Sequence, residues 1–294
     1  MRIRMLALVL YLLMIGCLAV AAPAFSSVRV AASIFPVASI VREIGGDRVA
    51  VTTIVPSGAD PHNFEVTPTT ARAIEEADVV FLVARPFDGW AIRDANPKQH
   101  PSPVEFQKVF EDSLVRIGKA VNPHFWLDPM FAKEMGVVVA KELSRIDSSG
   151  SAYYAARARV FVSRMDSLDA SIASRLARSG FKAFVSFHPA WTYFARRYGL
   201  EERDILELTP EQEPSAKWIA KVLKDMKQNR VRFILAEEFS NKALAKAVAK
   251  ESGAEVIVLD PLGGEARPGR NSYFALLDYN VSKLEEAARQ SRRE

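Results

Sequence analysis

Short β-branched or aromatic runs alternate along the chain with longer stretches of helical period, the pattern of an α/β protein. Runs at 28–32, 49–55, 79–83, 183–187, 231–236 and 255–259 predict strands. Thr67 followed by Pro68 opens a helix, Thr67 as cap and Pro68 at the first helical position, running to about Ala77 and leading straight into a strand. The stretch 151–179 holds neither Gly nor Pro, and Phe161, Met165, Leu168, Ile172 and Leu176 recur at spacings of four, three, four and four. That stripe is one face of a single 29-residue helix, about 43 Å long. It divides the chain almost in half and predicts a strut between two lobes. The charged stretches 242–251 and 283–294 read as solvated helix faces, the second one terminal.

The halves also resemble each other. Ser33, Pro36 and Gly46 recur as Ser186, Pro189 and Gly199 at a constant offset of 153, with Phe81 and Phe233 at nearly the same offset. Each match falls at the end of a predicted strand or its following helix, so two lobes of similar βα construction are expected.

The first residues stand apart. Arg2 and Arg4 precede an uncharged apolar run to Val28 that contains Ala19-Val-Ala-Ala-Pro-Ala24, the n-region, h-region and A-x-A pattern of a secretory signal ending at Ala21 or Ala24. The expected layout is a signal peptide over 1–24, a first lobe over 25–150, the helix over 151–179 and a second lobe over 180–294. An uncleaved anchor, or a lipoprotein box at Cys17, are the competing readings of the leader. Cys17 is the single cysteine, so the exported chain has no disulfide framework and no thiolate ligand. The chain of 294 residues carries a net +4, but two of its 39 basic residues are in the leader. The remaining Lys and Arg are interleaved with Asp and Glu, which argues against a nucleic-acid binder.

The candidate chemistry lies in the four histidines. His62, His124 and His188 sit beside prolines in strand-to-helix loops, in Asp60-Pro-His-Asn-Phe-Glu65, Asn122-Pro-His-Phe-Trp-Leu-Asp-Pro129 and Ser186-Phe-His-Pro189, where α/β sheets hold ligands. Asp260 stands at another strand end, followed by Pro-Leu-Gly-Gly264. Two of these four precede the long helix and two follow it, so a site that joined them would lie between the lobes. Three neutral imidazoles and one carboxylate suit a divalent transition metal. His100 reads as an exposed loop residue.

These motifs, with Val30-Ala-Ala-Ser-Ile-Phe-Pro36, Trp191-Thr-Tyr-Phe-Ala195, Tyr198-Gly-Leu200 and Glu213-Pro-Ser215, make the chain similar to the zinc- and manganese-binding solute-binding proteins that deliver metal to ABC importers. The resemblance implies an α/β fold of two βα lobes, each with a mostly parallel four-stranded sheet, joined by one long helix. It implies His62, His124, His188 and Asp260 as metal ligands, Zn2+ as cargo with Mn2+ as the alternative, and a permease in the cytoplasmic membrane as partner. The protein would then be a monomeric, non-enzymatic, periplasmic or extracytoplasmic component. Two departures stand out: 85–121 lacks a long His- and Asp-rich loop, and Ala84-Arg-Pro-Phe-Asp-Gly-Trp90 replaces a Gly-rich turn.

Glu65, Asp128 and Glu213 are expected either to orient ligand imidazoles or to cap nearby helices. Trp126, Trp191, Tyr193 and Phe194 are expected to pack around the site and dry it. A manganese or iron carrier, a secreted zinc hydrolase and a surface adhesin are the rival functions. The stiff central helix predicts metal release through modest movement, and histidine ligation predicts an affinity that drops as pH falls toward about 6.

Overall fold

A computed structural model describes residues 27–92, 103–208 and 213–293. The leader, Cys17 and His100 lie outside these described residues. In the first half, β1 (Val28–Ala32) leads through α1 (Phe35–Gly45) to β2 (Val49–Thr53), and α2 (Pro68–Glu75) leads to β3 (Val79–Leu82) and the two-residue β4 (Val104–Glu105). Thr67 caps α2 in a reciprocal bond pair with Thr70, with Pro68 at the first position, as the sequence predicts. These strands form one parallel sheet in the order β2-β1-β3-β4.

A small hairpin, β5 (Arg116–Ile117) and β6 (Ala120–Val121), precedes α3 (Pro129–Ile146) and the long α4 (Ser151–Ser179). The second half runs β7 (Ala183–Ser186), α5 (Thr192–Tyr198), β8 (Glu201–Ile205), α6 (Ala216–Asn229), β9 (Phe233–Glu237), α7 (Lys242–Ser252), β10 (Glu255–Leu259) and α8 (Tyr273–Gln290). Its sheet is also parallel, in the order β10-β9-β7-β8.

Counting strands within each half, both sheets have the order second, first, third, fourth. The sequence repeat therefore marks a repeated topology. Ser33 and Ser186 stand at the ends of the two first strands, and Gly46 and Gly199 follow α1 and α5 with φ of 51° and 64°, where a side chain would be strained.

The long helix spans the predicted 29 residues and buries Phe161, Met165, Ile172 and Leu176. It packs against α3, α8 and α1. One apolar cluster continues from Val30, Ile40 and Phe81 in the first half through Phe161 and Met165 to Trp191, Phe233, Leu259 and Leu277 in the second. The lobes thus share a core rather than meeting across a loose hinge.

Polar ties add to this around the segment after β10. The Trp126 indole donates to the Pro261 carbonyl at 2.9 Å, the Tyr273 hydroxyl to the Trp126 carbonyl at 2.6 Å, and Arg42 pairs with Glu265 at 2.6 Å.

Four strands and half a helix escape the sequence pattern, β4, β5 and β6 having only two residues each. β8 is a charged edge strand, Glu-Glu-Arg-Asp-Ile, whose polarity hides its role. The last helix begins at Tyr273 rather than 283, because Ser272 caps it by accepting from Ala275 N–H and its first turns bury Tyr273, Leu276, Leu277 and Val281.

Gly136 lets α3 approach α4: a Cβ there would lie 2.5 Å from the buried Phe161 ring. Replacing Gly136 with Val should destabilise the protein by about 1–3 kcal/mol through overpacking, read as a lower urea midpoint. An unchanged midpoint would show that the crossing is looser than described.

Candidate metal centre

Local chemistry places each histidine on a tight turn at its strand end or loop. Asp60 accepts from the His62 N–H at 2.9 Å and caps the single turn Pro61–Asn63, holding His62 just past β2. His124 opens the turn His124–Leu127, and His188, extended after β7, stands immediately before the turn Pro189–Trp191 with its side chain free of any capping bond. The three rings converge: centroids are 5.4 Å apart for His62 and His124, 4.9 Å for His62 and His188, and 4.6 Å for His124 and His188.

One ring nitrogen from each lies within 4.8 Å of the others, making this a group that can hold a metal ion. Tetrahedral zinc with nitrogen ligands separates its donors by about 3.3 Å. Each ring therefore has to shift inward by about 1 Å at most.

Apolar neighbours pack against two of the rings. Phe87 packs edge-on against His62 at 4.9 Å and lies 6.0 Å from His124, and Trp126 lies 5.0 Å from His124. His124 and His188 are 3% and 6% exposed. Among the described residues, His62 Nε2 and both ring nitrogens of His188 are buried without a hydrogen-bond partner. Burial pulls all three imidazoles below their ordinary pKa, that of His188 to about 3, and the neighbouring rings push His124 and His188 further the same way. At neutral pH the cluster is uncharged, with lone pairs ready to bind a cation.

Asn122 is the residue that the motif reading passed over. Its amide donates to the Pro189 carbonyl at 2.7 Å, which turns Oδ1 toward His124. Oδ1 then meets His124 Nδ1 at 2.7 Å and accepts the His124 backbone N–H at 3.0 Å. The proton is thereby fixed on Nδ1 and the Nε2 lone pair is left for a metal. One amide aligns the ring from the first half and grips the backbone beside the ring from the second. Asn122 stands two residues before His124, and only its type hinted at this.

Of the two roles expected for the nearby carboxylates, Asp128 takes the capping one. Asp128 caps α3, accepting from Met130 N–H at 2.8 Å, and lies 3.4 Å from Arg197 Nε. Glu65 and Glu213 are exposed. Asp260 is 5% exposed, but it does not join the three-histidine group; it is held by Leu262, Gly263, Arg267 and Arg270.

Beside the histidines a cavity of about 230 Å³ is lined by His62, His188, Asp60, Asn63, Glu207 and Asn241, among others. Its two carboxylates favour entry of a cation. The segment that replaces a Gly-rich turn supplies Phe87 to the cluster. It also supplies Trp90, which packs on Phe64 at 4.9 Å and donates to the Pro61 carbonyl at 3.2 Å.

The chain matches a family model described as zinc-uptake complex component A, periplasmic, over residues 30–287. It is 24% identical to the high-affinity zinc uptake system protein ZnuA of Bacillus subtilis, across 88% of this chain and 87% of that protein. It is 26% identical to the zinc-binding lipoprotein AdcA of Streptococcus pneumoniae, across 89% of this chain, and spans only 56% of that longer protein. Among solved structures, the laminin-binding protein Lmb of Streptococcus agalactiae superposes with a TM-score of 0.80 at 32% identity, covering 90% of this chain and all of that one. Lmb is described as a bifunctional protein with adhesin and metal-transporting activity.

Because burial lowers the imidazole pKa values, proton competition moves below the range of a free histidine, where the sequence alone places it. Zinc affinity should stay level from pH 8 to about 6 and fall only as the pH drops through the lowered values. Chelator competition over pH 5–8 measures this, and a tenfold loss between pH 7 and 6 would contradict it. Replacing Asn122 with Ala should weaken zinc binding by about 10–100-fold, with unchanged affinity as the opposing result.

Proposed function

The chain belongs to the family of periplasmic zinc-uptake component A, and on that premise we propose that it captures zinc between its lobes and hands it to an ABC permease. His62, His124 and His188 are the direct ligands in this reading, and Asp260 is the carboxylate that completes the shell once one of its donors lets go. The leader over 1–24 exports the chain. The lobes 25–150 and 180–294, joined by the helix over 151–179, work as one monomer outside the cytoplasmic membrane. Among the described residues no helix is long and apolar enough to cross a membrane.

The observation that carries this reading is the convergence of three imidazoles from both halves of the chain, His124 and His188 buried and His62 half-buried, uncharged and largely unpartnered among the described residues. Nitrogen donors favour zinc over manganese, which sits at the weak end of the Irving–Williams order. That preference makes zinc the cargo and manganese the second choice.

The same three rings would suit a zinc hydrolase, but the family is one of solute-binding proteins for metal import. The protein is therefore proposed to bind and release metal without turnover. The adhesin activity described for Lmb belongs to that protein; the residues that converge here bear on metal transport.

Calorimetry on metal-free protein tests the proposal. Zinc should bind at one equivalent and more tightly than manganese. Ala in place of His62, His124 or His188 should each cost more than the 10–100-fold typical of an outer-sphere partner. Manganese binding as tight as zinc, or full zinc affinity in the His188→Ala variant, would contradict it.

A further inference from the structure

The Asp260 carboxylate is saturated. Oδ1 accepts from Leu262 N–H at 2.9 Å and Gly263 N–H at 2.8 Å, and Oδ2 accepts from Arg270 at 2.9 Å and Arg267 at 3.4 Å. A carboxylate offers about four lone-pair directions, so a metal can use Asp260 only if one donor lets go. Asn280 fixes the backbone on both sides: its Oδ1 accepts from Asp260 N–H at 2.9 Å, and its amide donates to the Asp260 carbonyl at 2.7 Å.

The two arginines also share Glu238, Arg270 at 2.6 Å from Oε1 and Arg267 on Oε2. Two guanidiniums and two carboxylates therefore form a set with no net charge. Arg270 also lies over the Tyr279 ring at 4.7 Å, so Glu238 and that ring would hold it after Asp260 turned away. The group is next to the metal centre, since Pro261 is bonded to Trp126, which packs on His124.

We propose that Arg270, with Arg267, sets selectivity for zinc over manganese by holding the Asp260 carboxylate back, so that an arriving cation meets three imidazoles before any oxygen ligand. This rests on the zinc-capture reading. Zinc gains enough from nitrogen to stay without Asp260 or to pull it from the arginines. Manganese gains least from nitrogen and depends most on the withheld carboxylate. A guanidinium has no lone pair to offer a cation, so Arg267 and Arg270 act only through Asp260 and are positioning residues. Glu238 sets how strongly they hold Asp260, because it competes for the same N–H donors.

The test uses metal-free protein with Zn2+ and Mn2+ as the probes and reads the ratio of the two affinities. Arg270→Gln should narrow that ratio by about tenfold, mainly by tightening manganese. Glu238→Gln should move it the opposite way, since both arginines would then rest on Asp260 alone. In an Asp260→Asn background neither change should alter the ratio. Glu238 is 38% exposed at its side chain, so its variant should fold even where the Arg270 variant does not.

A ratio unmoved within twofold in Glu238→Gln, or moved equally in the Asp260→Asn background, overturns the proposal. If wild-type protein fails to bind zinc, or His188→Ala leaves its zinc affinity intact, the capture reading itself falls. If zinc binds through the histidines but the ratio stays fixed, only the role of the arginines falls.

Discussion

Desolvated nitrogen without a partner is the constraint on which this molecule is built. Among the described residues, His62 Nε2 and both nitrogens of His188 are buried with nothing to bond. Each such group costs roughly 1–3 kcal/mol while it stays unsatisfied. A fold keeps that cost only where the nitrogens serve something else, and a divalent cation held between the three imidazoles would supply the missing interaction. The cost also has a use, since burial keeps the rings uncharged and spares an arriving metal from displacing protons.

The remaining architecture holds these rings together. Two sheets of the same strand order send their histidines inward from opposite halves, and one amide, Asn122, reaches both sides. The continuous core through α4 and the bonds from Trp126 and Tyr273 join the halves around that point. Such a body cannot swing open without breaking packing shared by both lobes, so metal exchange is better served by side-chain and loop shifts of about an ångström than by wide closure. The acidic cavity beside His62 and His188 gives a cation a way in without that opening.

What the sequence discloses follows from how local each signal is. The stripe from Phe161 to Leu176 defines α4 because a helix repeats its own pattern, and His62, His124 and His188 show themselves through prolines that fix tight turns. The offset of 153 reports the repeated topology because Gly46 and Gly199 both need positive φ. Less local features stay hidden. The partners of Asp260 lie seven and ten residues away in an irregular segment with no periodicity, so nothing marks Arg267 and Arg270 beforehand. Glu65 and Glu213 stand close to the motifs in sequence but face solvent. The orienting role goes to an amide rather than a carboxylate, a choice made by the Pro189 carbonyl across the cleft.

The most direct measurement is X-ray absorption at the zinc edge on protein loaded with one equivalent of the metal. The account predicts a nearest shell containing three imidazole nitrogens at about 2.0 Å, with the outer scattering characteristic of histidine rings. A shell of water or carboxylate oxygens with fewer than two imidazoles would contradict it.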